Sequence, residues 1–100
     1  MAYESKVKPQ FVEELYEAIL KLETAEECSR FFEDLCTIKE IQSLSQRLKV
    51  AKLLKERKTY TDIESITHAS TATISRVNRC FEYGANGYKL MLEKLDNQKK

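Results

Sequence analysis

Phe11, Leu15, Ile19 and Leu22 fall at i, i+4, i+8 and i+11, with Val12, Tyr16 and Leu20 forming a second stripe beside them. Both spacings are helical, because residues three and four apart share a helix face. Pro9 suits the first turn of this helix, where its missing N–H removes no bond. Thr24 with Glu27 and Thr37 with Glu40 both carry capping-box spacing. The first predicts a short helix through Phe31, Phe32 and Leu35; the second opens the longest helix, about residues 38–57. At about 100° per residue, Ile41, Leu44, Leu48, Ala51 and Leu54 gather on one side of that helix, and Leu53 projects almost opposite Leu44. Two apolar faces need two partners. The surplus predicts an obligate helical homodimer, with an internally packed bundle as the alternative.

Two short helices follow. Thr59 or Thr61 can cap the first, which carries Ile63 and Ile66, and Ser70 can cap the second, which runs to Tyr83. The intervening THAS is too polar for a helix interior and too short for another element. Gly84 takes the C′ position, Asn86-Gly87 forms a loop, and a last helix spans Tyr88 to Leu95. The reading is one all-α domain over residues 9–95, with a flexible segment at 1–8 and a frayed tail at 96–100. Helix, tight turn and helix at about 59–83, held by Ile63, Ile66, Ala69, Ile74, Val77 and Phe81, have the layout of a helix-turn-helix.

Composition narrows the class. With 42% hydrophobic and 33% charged residues, two Gly and one Pro, the chain reads as a small soluble helical domain. It has no apolar run long enough for a membrane span and no apolar signal region in MAYESKVKPQ, which predicts a cytoplasmic protein without a membrane partner. Cys28, Cys36 and Cys80 are odd in number and lack CxxC spacing, which predicts reduced thiols and no metal site. The net charge of +1 conceals a division: residues 1–43 carry −5, residues 44–80 carry +5, and residues 81–100 carry +1. The predicted helix pair lies in the basic part. Projection of its second helix puts Ile74, Val77 and Phe81 together and Thr71, Ala72, Ser75, Arg76 and Arg79 broadly on the other side. Small residues let a backbone approach base edges, hydroxyls donate or accept there, and arginine forks onto guanine or phosphate. Thr71, Ala72, Thr73 and Ser75 are therefore candidates for base edges, Thr73 lying toward the core boundary. Arg76, Arg79, Lys49, Lys52 and Lys58 are candidates for phosphate or flanking contacts. Ser and Thr that merely cap and decorate a surface helix are the bland alternative.

The runs LSQRLKVAKLLKE and ASTATISRVNRCFEYG resemble the Trp repressor superfamily, and most closely its YerC/YecD-type branch, over roughly residues 35–95. The resemblance implies a Trp-repressor-like intertwined helical dimer with a helix-turn-helix that binds double-stranded DNA. It also implies an effector pocket in which Arg47 and Arg76 match two ligand-binding arginines and Thr37 a threonine. An amino-acid corepressor is compatible with this match. Val77, where the tryptophan sensor has glycine, argues against tryptophan itself; Cys80 also replaces a serine, and the segment between the arginines is one residue shorter. Arg47 projects beside Leu44 and Leu54, and a structural ion pair with a carboxylate from the acidic first half is the favoured reading of it.

No glycine-rich phosphate loop, metal-ligand spacing or histidine-based nucleophile is present; the single histidine, His68, falls in the predicted turn. The expectation is a non-enzymatic, cofactor-free transcriptional regulator, nucleoid-associated when bound to DNA and acting as a repressor by occupying an operator. The competing expectation is a helical dimeric interaction module that has lost specific DNA binding, its basic face paired with the acidic first half or with an acidic partner.

Overall fold

A computed structural model of the chain describes residues 3–98; the outermost residues of the predicted terminal segments, 1–2 and 99–100, lie outside it. Six helices account for its regular structure: α1 Val12–Leu20, α2 Ala25–Leu35, α3 Ile38–Lys55, α4 Tyr60–Thr67, α5 Thr71–Tyr83 and α6 Gly87–Gln98. The described residues fall into two compact units, one up to Ile41 and one from Gln42 onward.

In the first unit, local chemistry sets the helix ends. α1 begins at Val12 rather than in the turn that Pro9 could open, and its N-cap Phe11 makes no side-chain cap bond. Leu22 lies beyond the last helical turn. Thr24 Oγ1 accepts from Glu27 N at 3.1 Å, but the Glu27 carboxylate accepts from Glu23 N at 2.8 Å, one residue before the cap. At Thr37 the box is reciprocal: Thr37 Oγ1 accepts from Glu40 N at 3.1 Å and Thr37 N donates to Glu40 Oε1 at 2.8 Å. Neither α1 nor α2 contains a buried residue. Phe11 and Leu20 are 80% and 81% exposed, whereas Val12, Leu15, Ile19 and Leu22 are half-buried, so the α1 stripes are only partly covered.

The second unit carries the core: Val50, Ala51, Leu53, Ile63, Ala69, Ile74, Val77 and Leu92 are buried, with Leu54, Phe81 and Tyr88 packed against them. Leu53 is 5% exposed and Leu44 42%, as their opposite projections require. Ala51, by contrast, is fully buried although it projects with Leu44 and Leu48. The C-terminal part of α3 is thus enclosed while Leu44 and Leu48 stay open.

α3 ends in a Schellman motif, with Lys58 N bonded to Leu53 O and Arg57 N to Leu54 O, both at 3.0 Å. Its αL position, usually glycine, is Arg57 with φ 64°. Gly84 does not adopt αL: it caps α5 at φ −86°, ψ −149°. A Cβ there would lie 2.4 Å from the Cys80 carbonyl oxygen, so close backbone approach, not positive φ, requires the glycine. α6 starts at Gly87 and continues past Leu95 to Gln98, where the apolar pattern has already ended. Asp96 in that last turn pairs with Lys55 at 2.7 Å.

Candidate nucleic-acid interface

α4 and α5 are joined by three residues, His68 to Ser70. Thr59 rather than Thr61 caps α4, accepting from Asp62 N at 3.1 Å. His68 closes α4 in the αL conformation, φ 61°, and its N–H donates to Glu64 O at 2.8 Å. Histidine enters αL more readily than most residues. Ala69 then drops into the core at 1% exposure, and Ser70 caps α5 by accepting from Thr73 N at 3.1 Å.

Ile66, read from the sequence as an anchor of this pair, is 52% exposed. The inward line of α4 instead runs from Ile63 to the half-buried Thr67, four residues on, which leaves Ile66 beside the packed face.

α5 divides sharply. Ile74 and Val77 are buried and Phe81 is half-buried, while Thr71, Ala72, Ser75, Arg76 and Arg79 are exposed. Thr73 is half-buried, and its hydroxyl accepts a bond from Ser70 Oγ at 3.0 Å. It is therefore turned partly away from the outer face. Lys49 and Lys58 are exposed and Lys52 is half-buried. Among the described residues none of Lys49, Lys52, Lys58, Arg76 and Arg79 has an ion-pair partner; the two pairs formed are Arg30–Glu26 and Lys55–Asp96. Lys55, another cation before the helix pair, is thus committed elsewhere.

The effector residues are placed separately. Thr37 belongs to the first unit, with hydroxyl and N–H both used in its cap. Arg47 is half-buried and Arg76 exposed, both in the second unit. Within the second unit Arg47 forms no ion pair. One reason is local: Ser43, Leu44, Val50 and Ala51, three and four residues from Arg47 on α3, carry no carboxylate. Val77 is 2% exposed, so its branched side chain packs into the core. An apolar groove of about 490 Å³, bordered by Leu48, Cys80, Tyr88 and Met91, opens elsewhere in the unit, and neither arginine lines it. The three cysteines are free, Cys28 and Cys80 being exposed rather than buried.

This is an all-helical chain whose α4–α5 pair presents a small, hydroxylated and cationic face. The family model of the Trp repressor protein matches residues 10–96, and the chain belongs to that family. It is 53% identical over 90 residues to the uncharacterized protein YerC of Bacillus subtilis strain 168, covering 90% of this chain and 86% of that one. A TrpR-like protein from Eubacterium eligens superposes with a TM-score of 0.87 at 57% identity, covering 91% of this chain and 94% of the other. A Staphylococcus aureus protein proposed to be a Trp repressor gives 0.83 at 54% identity, covering 85% of each chain. Among the described residues no helix is long and apolar enough to cross a membrane.

Proposed function

We propose that the protein is a sequence-specific DNA-binding transcriptional regulator, a repressor that acts as a homodimer by occupying its operator. The observation that carries this reading is the division of α5: Ile74 and Val77 hold its back to the core, while Thr71, Ala72, Ser75, Arg76 and Arg79 face out. With α4 as the first helix of a helix-turn-helix, α5 enters the major groove. Thr71, Ala72 and Ser75 approach base edges, Thr73 lies at the margin, and Arg76, Arg79, Lys49, Lys52 and Lys58 meet phosphates or flanking bases. Membership of the Trp repressor family supports the same assignment.

The dimer rests on apolar surface that each unit leaves open, Phe11 and Leu20 in the first and Leu44, Leu48 and Met91 in the second. A second copy would cover it. Two-fold symmetry then calls for a palindromic operator with half-sites about 34 Å apart. On this reading the regulator binds DNA without a corepressor. An amino-acid effector at Arg47 and Arg76 would supply a carboxylate to arginines that have no ion pair within the second unit, whereas the packed Val77 disfavours an indole.

The test is selection of random duplex DNA by the purified protein at near-physiological salt, with and without a pool of amino acids. Enrichment of a palindrome is expected. Changing Thr71 and Ser75 together to Glu should abolish that selection and leave the helical content intact. Sequence-independent, salt-sensitive binding alone would overturn the reading.

A further inference from the structure

Gln46 is polar where its helix face is otherwise apolar. Gln46, Val50 and Leu53 lie at i, i+4 and i+7 on α3, and Val50 and Leu53 are 0% and 5% exposed. Gln46 itself is half-buried, and its Nε2 donates to the backbone carbonyl of Thr67 at 3.0 Å, across 21 positions of sequence. That carbonyl is one of the last four of α4, which have no acceptor role inside the helix.

The elbow that receives this bond has little stiffness of its own. α4 has eight residues, too few for an independently stable helix. Thr67 Oγ1 donates to Ile63 O at 2.7 Å and accepts from Ala69 N at 3.1 Å, and His68 N reaches Glu64 O. All of these bonds shape the elbow from within. The Gln46 amide ties it to a different helix, the one that carries Val50, Ala51 and Leu53 of the core. α5 has 13 residues, and at 1.5 Å rise per residue a tilt of about 10° at its start would move Ser75 by about 1 Å and Arg79 by about 2 Å. Base contacts tolerate less displacement than that.

We infer that Gln46 is a positioning residue for DNA recognition: its hydrogen bond to the Thr67 carbonyl sets the angle at which α5 leaves the elbow. The inference rests on the DNA-binding reading above. Gln46 contacts no base, and its effect passes through Thr67, His68 and Ser70 to the exposed face of α5.

The experiment uses the full chain and the duplex that the wild type selects, beside a scrambled duplex of the same length. Gln46→Met keeps the volume and loses the donor; Gln46→Glu puts an acceptor against the carbonyl. Each should weaken specific binding at pH 8 by about 2- to 12-fold, the range of one net hydrogen bond, with scrambled-duplex affinity unchanged. The Gln46→Glu loss, measured as a ratio to wild type, should shrink as pH falls toward about 4, where a carboxyl of ordinary pKa is largely protonated and regains an O–H donor. A purely structural role would not restore binding on acidification. Wild-type-like specific affinity in both variants, equal losses on both duplexes, or a pH-independent Gln46→Glu ratio would each overturn the inference. A wild type that selects no sequence would overturn the DNA-binding reading first, so the two failures are separable.

Discussion

Replacing Arg57 by glycine should make the fold more stable and, on the proposed reading, its grip on DNA weaker. Arg57 holds the αL position of the motif that ends α3, at φ 64°. An L-residue in αL is disfavoured by roughly 1–2 kcal/mol, a cost glycine does not incur. Glycine gives back part of that gain, because it frees the unfolded chain by about 0.4–1 kcal/mol. The net expectation for Arg57→Gly is about 0.5–1 kcal/mol of added stability, or a rise in Tm of about 2–8 °C for a domain of this size. Two other residues share the conformation, His68 at 61° and Asn86 at 69°, but both types enter αL readily, so the strain is concentrated at Arg57. On the proposed reading, the exposed guanidinium beside Lys58 is a further candidate for flanking phosphates, and its loss should lower the slope of log affinity against log salt by about 1. Thermal denaturation at fixed protomer concentration, with a salt titration on the selected duplex, reads both effects. Arg57→Ala separates them: it should lose the phosphate contact without gaining stability. If Arg57→Gly lowers Tm, or if Gly and Ala give the same Tm, the backbone argument is wrong.

Ile74→Ala, at a fully buried site, should cost about 2–5 kcal/mol in denaturant unfolding, since it removes the inner anchor of α5. Gly84→Ala should destabilise by about 1–3 kcal/mol, because its Cβ would meet the Cys80 carbonyl at 2.4 Å; an unchanged midpoint would mean that the α5–α6 connection yields easily. Ser70→Ala removes the α5 cap and should lower stability by about 1 kcal/mol in the same assay. Changing Leu44 and Leu48 together to Glu should shift sedimentation from dimer to monomer, and an intact dimer would place the interface elsewhere.

Much of this architecture could be read from neighbouring residues. The caps at Thr24, Thr37, Thr59 and Ser70 depend on partners three residues away, and the inner and outer faces of α5 follow from 100° per residue. What escaped depends on distance or on exceptions to preference. Ile66 looked like an anchor because it is apolar, but only the packed direction of α4 decides between Ile66 and Thr67. Arg57 gives no local sign of αL, since arginine rarely adopts it. The Gln46–Thr67 bond spans two helices; its one trace in the sequence is a polar residue completing the Val50–Leu53 stripe. The open groove beside Leu48 reflects how α5 and α6 meet, which no single-helix pattern encodes.

The alternation along α5 also bears on how such a protein could change over generations. Ile74 and Val77 answer to the core, whereas Thr71, Ala72, Ser75, Arg76 and Arg79 touch none of it. Substitutions in the second set carry little folding penalty, although near neighbours on the face, such as Thr71 and Ser75, can couple. On the proposed reading, a duplicated gene could acquire a new target through a few outward changes while inheriting its scaffold intact, and mutation would explore operators without first having to compensate for lost packing.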